Sequence, residues 1–117
     1  MNTPIAQPAA WAVLYDALHH RRPVHIHYHG RQRLICPHAL GWKNHRPMLL
    51  AYQADGHTSP AALTDATKRW RCLYIDEIDN AHPADPTTPW ASAPNYDPTR
   101  PFPSQVDVAI AISQHHT

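Results

Sequence analysis

Apolar residues recur along this chain at two periods, and the period changes at Pro23. Before it, Trp11, Leu14, Tyr15 and Leu18 fall three and four positions apart, the spacing of one face of an α-helix. Pro8 precedes the stretch, Arg21 and Arg22 suit the negative end of the helix dipole, and Pro23 stops it. The pattern predicts a helix over Ala9–Arg22. One short helix cannot bury its stripe alone, so it must cover something that follows.

Beyond Pro23 the period is two. Val24, Ile26 and Tyr28 alternate with His25, His27 and His29, a strand with one apolar and one histidine-bearing face. Gly30-Arg31 is a turn signal, Arg33–Leu40 returns as a second strand, and Asn44-His45-Arg46 reads as a hairpin loop within Gly41–Pro47. Met48–Gln53 is a continuous apolar run, expected to be a central strand covered on both sides. A polar, alanine-rich stretch from Asp55 to Lys68 leads to further strands at Trp70–Ile75 and Ile78–His82.

Seven prolines then fall between His82 and Ser104, a density that removes ladder donors and blocks helix. This is an extended arm, and its Trp90, Tyr96 and Phe102 are expected to lie down on its own domain. Val106, Val108, Ile110 and Ile112 alternate once more, a final strand that returns to its own sheet or pairs with another copy. The layout predicts a mainly β (α+β) fold: a curled sheet or small barrel of about five strands, one N-terminal helix closing a side, and a proline-rich C-terminal arm. The expected segments are a tail (1–8), helix plus barrel (9–82), arm (83–103), and strand with tail (104–117). The expected core is Leu14, Leu18, Val24, Ile26, Tyr28, Ile35, Leu49, Ala51, Leu73 and Ile75.

A length of 117 residues suits one domain. The N-terminus has no signal-peptide pattern and no apolar run approaches the roughly 18 residues of a membrane span, so a soluble, cytoplasmic protein is expected. Cys36 and Cys72 form no C-x-x-C unit and are expected to be buried small hydrophobes, although both fall in strands that could be neighbours.

Charge changes the picture. The formal net charge is only +1, yet between Ala17 and Ala54 stand Arg21, Arg22, Arg31, Arg33, Lys43 and Arg46 with seven histidines and no acid. All acids but Asp16 lie from Asp55 onward. A basic half beside an acidic half points to a positive face for an anion. Arg31, Arg33, Lys43, Arg46, Arg69 and Arg71, with Trp42 as an exposed stacking ring, make the candidate nucleic-acid or anion site, because basic groups hold phosphate while aromatic rings stack unpaired bases.

Other chemistry is poorly represented. His25, His27 and His29 could offer corners of a zinc site, with His38 or His45 as a third ligand, but no Cys or carboxylate stands at the required spacing. No phosphate loop or G-x-S-x-G motif is present. Asp76-Glu77-Ile78-Asp79 would place its carboxylates on opposite faces of a strand rather than as a facing acid and base. No catalysis, cofactor or metal is expected.

Leu18…Val24-x-Ile26-x-Tyr28, then Arg33-Leu34-Ile35-Cys36-Pro37-His38-Ala39-Leu40, Met48-Leu49-Leu50-Ala51-Tyr52, and Arg71-Cys72-Leu73-Tyr74-Ile75-Asp76-Glu77-Ile78 together resemble the WYL domain family. The resemblance spans about Leu14 to Ala81. It implies an Sm- or SH3-like β-barrel preceded by a helix. It also implies a bacterial regulatory module for transcription, DNA-damage response or phage defence that senses ligands or binds single-stranded DNA or RNA. The naming Trp-Tyr-Leu triplet falls on Pro47-Met48-Leu49, and of the closing pattern's arginines only Arg71 is kept. The chain therefore reads as a divergent, stand-alone member without a helix-turn-helix. The functional expectation is a non-catalytic binding or regulatory module for single-stranded nucleic acid or a small anionic ligand. Its rival is a module that joins a regulatory protein partner or a second copy through the arm and final strand.

Overall fold

The computed structural model describes residues 9–56, 65–102 and 105–113, so the N-terminal tail and most of the polar stretch after Asp55 lie outside the described residues. Helix α1 is Ala9–His20. It ends before Arg22 because Arg21 turns into the left-handed region at φ 52°. There the Arg22 N–H donates to the Ala17 carbonyl at 2.9 Å and the Arg21 N–H to that of Leu18 at 3.4 Å, the paired bonds of a Schellman ending. Trp11, Leu14 and Leu18 are buried as expected, joined by Ala10 and Ala17, but Tyr15 is 43% exposed. Alanines rather than tyrosine complete the buried face.

Six antiparallel strands follow: β1 (Val24–Tyr28), β2 (Arg31–Lys43), β3 (Arg46–Gly56), β4 (Trp70–Tyr74), β5 (Ile78–Pro83) and β6 (Asp107–Ala111). They form one sheet in the order β4-β3-β2-β1-β5, with β6 also on β2. The first hairpin turns at His29-Gly30, not Gly30-Arg31, because Tyr28 pairs with Arg31. His29 and Gly30 have φ of 50° and 76°, and Asn44 and His45 in the second turn have 51° and 67°. Two left-handed central residues match the twist of the flanking strands, as in type I′ turns.

The sheet is open, which corrects the expectation of a closed barrel. Among the described residues no ladder joins β4 to β5. The chain passes between these two edges through a 3-10 turn, Ile75–Glu77, and beside it the Tyr74 N–H of β4 donates to the Tyr28 hydroxyl of β1 at 3.2 Å. Helix α1 packs on β2, β5 and this turn, so a helix occupies the side that strand-to-strand closure would need.

All ten expected core residues are buried. Met48–Gln53 is buried at every position between β2 and β4, as a central strand should be. Cys36 is buried, but Cys72 is exposed and both thiols are free, which corrects the reading of Cys72 as a core residue. Cys72 falls on the outer face of an edge strand, opposite Leu50.

The arm lies on the outer face of the sheet and is tied to it. Trp70 Nε1 donates to Asn95 Oδ1 at 2.8 Å, and the Tyr96 hydroxyl donates to the Ile112 carbonyl at 2.7 Å. Its bends use one local device twice. Asp85 and Asp97 each accept from the backbone N–H and the hydroxyl of the threonine two residues on, across an intervening proline. The final strand joins its own chain: Ala39–Trp42 of β2 pair with Asp107–Ala111 of β6.

That pairing depends on Gly41. A Cβ there would stand 2.5 Å from the Asp107 carbonyl oxygen and 2.8 Å from Val106 Cγ1. Gly41→Ala should cost about 1–3 kcal/mol through this overlap and loosen β6. Denaturant unfolding checks the first effect and amide exchange at Val108–Ala111 the second; an unchanged midpoint and unchanged protection would contradict it.

Candidate functional site

Residues paired across an antiparallel ladder share a face. On β1 and β2, Tyr28 opposes Arg31, Ile26 opposes Arg33 and Val24 opposes Ile35. Ile35 opposes Gln53 on β3, while Ala51 and Leu49 oppose Arg71 and Leu73 on β4. The inner face is therefore apolar along Val24, Ile26, Ile35, Leu49, Ala51 and Leu73. At one end it passes into Arg31, Arg33, Gln53 and Arg71, with Tyr28 beside them.

Arg33 is the centre of this mouth. It is half-buried, donates to Gln53 Oε1 at 3.3 Å, and holds its guanidinium carbon 5.5 Å from the Tyr28 ring centroid. Its Nε is buried with no hydrogen-bond partner among the described residues. Burial first, and then the charges of Arg71 and Arg31, pull its proton affinity below the usual arginine value, with Tyr28 opposing. None of these influences is a carboxylate. Three guanidiniums crowd a site where burial weakens solvent screening, and the crowding favours a bound anion.

The candidate site splits in two because β2 is 13 residues long, about 40 Å of strand path. Arg31, Arg33 and Arg71 come together at one end. Arg71 also donates to the carbonyls of Lys68 and Trp70 at 3.0 and 2.9 Å, which anchors its guanidinium at the β4 edge. Arg69 is half-buried and donates to the Ala54 carbonyl at 3.2 Å. Trp42, Lys43 and Arg46 stand at the other end, by the second hairpin.

Trp42 is not the exposed stacking ring expected. It is half-buried and stacks on Trp11 of α1, with centroids 5.0 Å apart and planes at 25°. The helix needs an aromatic surface to cover, and Trp42 supplies it. Arg46 is also committed. It donates to Asp76 at 2.7 and 3.1 Å and to Glu77 at 2.6 Å, and lies 3.6 Å over the Tyr74 ring. These acids raise its proton affinity further. Glu77 is drawn below the usual carboxylate range by Arg46 first and by His29 second. The Asp76-Glu77 pair thus sits in a 3-10 turn gripping one arginine, not on opposite faces of a strand.

No protein-family model, curated protein or solved structure matches this chain. Function must be argued from its own geometry.

The two histidines of β1 face away from the arginine mouth: His25 stacks on His82 at 5.3 Å and His27 approaches Asp79 at 3.6 Å. His29, in the first hairpin turn, bonds Glu77 and stacks on Tyr28 at 4.0 Å. Sharing a sequence segment with the arginines does not place them on the same face. Among the described residues no group of three or more His, Cys, Asp or Glu stands ready to hold a metal.

Two buried polar residues are the most informative: Gln53, expected only as the end of an apolar strand, and His38, expected only as a candidate third zinc ligand. Gln53, at the end of an apolar run, is buried beside Arg33. His38 is buried on the outer face, ringed by Trp70, Trp90 and Tyr96 at 4.7, 5.0 and 4.9 Å. A polar residue amid strong strand formers was the available signal for both. Because the Cys36 carbonyl can only accept, His38 Nδ1 donates to it, at 2.7 Å. Nε2 is then the acceptor for the Ser92 hydroxyl at 2.9 Å. A serine bonded to an imidazole has the outline of a nucleophile and its base. Burial pushes the imidazole down to about 4, and the bond ties Ser92 of the arm to β2.

The burial of His38 sets an acid response. The folded-state value lies below the unfolded 6.5, so the native state binds fewer protons between about pH 6.5 and 4, and stability falls as pH falls through that window. The loss should reach about 3 kcal/mol, at 1.36 kcal/mol per unit. Urea unfolding at pH 7, 5.5 and 4.5 measures it. His38→Gln should flatten the slope above pH 4.5, and an unchanged slope would show that another group carries it.

Proposed function

We propose that this protein is a non-catalytic binding module that holds a small anionic ligand at the mouth formed by Arg31, Arg33 and Arg71. The carrying observation is the buried, unpartnered Nε of Arg33 beside two further arginines. Leaving a charged donor unpaired costs on the order of 1–3 kcal/mol or more. An anionic oxygen placed there would remove that cost and relieve the mutual repulsion. A phosphate or carboxylate group fits the chemistry, since arginine presents a planar fork of donors to either.

Between the two ligand classes expected, the geometry favours the small anion over single-stranded nucleic acid. Strand binding wants a basic track interleaved with open aromatic rings. Here Trp42 is covered by Trp11, and Arg46 is neutralised by Asp76 and Glu77. Tyr28 is buried beneath Arg33. The cationic surface that remains is compact rather than continuous.

The WYL-like reading, with its Sm- or SH3-like fold and regulatory role, belongs to the same proposal. It is supported by a helix leading into the sheet, by the order β4-β3-β2-β1-β5, and by a 3-10 turn linking the two outer strands. Arg71, the one arginine the resemblance retains, is also one of the three that meet. Self-association through the final strand draws less support, because β6 is spent on its own chain's β2.

Calorimetric titration with inorganic phosphate, a mononucleotide and a mixed-sequence oligonucleotide tests the reading. Phosphate-bearing small molecules should bind at low salt. Arg33→Gln and Arg71→Gln should each weaken binding by roughly 10- to 100-fold, the loss of one charge-assisted contact. Trp42→Ala should lower stability while leaving affinity unchanged. Absence of binding by any of the three ligands at low salt would defeat the proposal, and oligonucleotide binding that falls with Trp42→Ala would restore the nucleic-acid reading.

A further inference from the structure

The face of β1 and β5 turned away from the core carries a pair of histidines that the arginine mouth does not use. His25 on β1 stands directly opposite His82 on β5, and the register between these strands is unbroken from Val24 and Pro83 to His27 and Asn80. Both rings are exposed, and they stack with centroids 5.3 Å apart and planes at 29°. On either side of His25 in the chain, Val24 and Ile26 are buried in the core. The Ala84 N–H donates to the Pro23 carbonyl at 2.9 Å and closes the end of the ladder beside the pair. The backbone therefore fixes how far apart the two imidazoles stand.

Their neighbours distinguish them from other histidines of the chain. His20 meets Asp16, His27 meets Asp79, His29 bonds Glu77, and His38 is bonded through both nitrogens. Among the described residues neither His25 nor His82 makes a hydrogen bond or an ion pair, so their ring nitrogens are open to a ligand. The spacing suits a shared ion. Two imidazoles on one ion, each nitrogen at roughly 2.0–2.1 Å and the angle between them roughly 90–110°, hold their ring centroids about 4.5–5 Å apart. A small ring rotation separates the observed 5.3 Å from that value.

We propose that His25 and His82 bind a divalent late transition ion (nickel, zinc or copper) as a two-histidine chelate across the β1–β5 ladder. Imidazole nitrogen suits these ions, whereas magnesium and calcium demand oxygen. With two protein ligands the centre is open, and its other positions fall to water. The triplet of candidate ligands His25, His27 and His29 breaks up, because acids hold two of them, and a partner from β5 takes their place. The site is separate from the arginine mouth, since Arg33 shares the opposite face with Ile26.

Calorimetric titration of the full chain with nickel chloride tests this. Nickel is the probe because it does not oxidise the free thiols of Cys36 and Cys72. His57, His115 and His116 lie outside the described residues, so the titration is repeated on a chain carrying His57→Ala, His115→Ala and His116→Ala. Both chains should bind nickel saturably, zinc chloride should compete, and magnesium chloride should not. His25→Asn and His82→Asn, at exposed positions, should leave the urea midpoint unchanged. Each should weaken nickel binding by roughly tenfold or more, at least the cost of losing an indirect partner of a metal. His27→Asn and Arg33→Gln should leave the affinity as it is. Binding that requires millimolar nickel, that survives His82→Asn, that vanishes in the alanine-substituted chain, or that falls as far with His27→Asn as with His82→Asn would overturn the proposal.

Discussion

Pro37 has no N–H to give, and β2 changes partners around the place where that donor is missing. Up to Ile35 the strand pairs with β1; from Ala39 onward the same side pairs with β6. The register with β3 shifts between Pro37 and Ala39 as well. A proline inside a central strand removes a ladder bond and is tolerated at an irregularity of this kind. Everything else hangs on the handover. It frees an edge for the C-terminal strand, which brings the arm back across the outer face, which in turn buries His38. The Ile112 N–H donates to the His38 carbonyl at 2.9 Å, and the Tyr96 hydroxyl ties the arm to the same two residues.

The same topology sorts the charges. The 3-10 turn between β4 and β5 swings Asp76 and Glu77 beside Arg46, so part of the acidic half is folded onto the basic half. Exposed ion pairs of this sort are screened by water and contribute little to stability. Their consequence here is selective: they remove Arg46 from the pool of cations able to meet a ligand. What is left is a cluster at the opposite end of the β2–β3 hairpin, where burial weakens screening and no carboxylate acts on Arg33. Among the described residues, this leaves Arg31, Arg33 and Arg71 together at one end of the inner face.

The arm shows how a segment with almost no regular structure becomes ordered. Its prolines lower the entropy lost on fixing the backbone, and its Asp-Pro-Thr turns satisfy the donors at each bend. Its aromatic rings then stack on Trp70 and His38 instead of pairing strands.

Much of this was legible in the order of residues. A period of three to four ending at Pro23 named the helix, and periods of two named the strands. The ten core positions followed because apolar burial depends on local alternation that the chain carries in itself. The outcomes of Tyr15, Trp42 and Cys72 were not legible, since each sits at a position whose exposure depends on which distant element arrives to cover it. Trp42 is covered because α1 needs its ring, and Cys72 is open because β4 is an edge. The charge asymmetry likewise pointed to a cationic face, but of the seven basic or aromatic candidates three come together: the length of β2 sets Trp42, Lys43 and Arg46 apart, Trp11 covers Trp42, two acids hold Arg46, and Arg69 turns to the Ala54 carbonyl. Local periodicity determines which face a residue takes within its own strand. Only the tertiary structure decides which faces meet, because pairing across 13 residues of β2 sets distances that sequence separation does not encode.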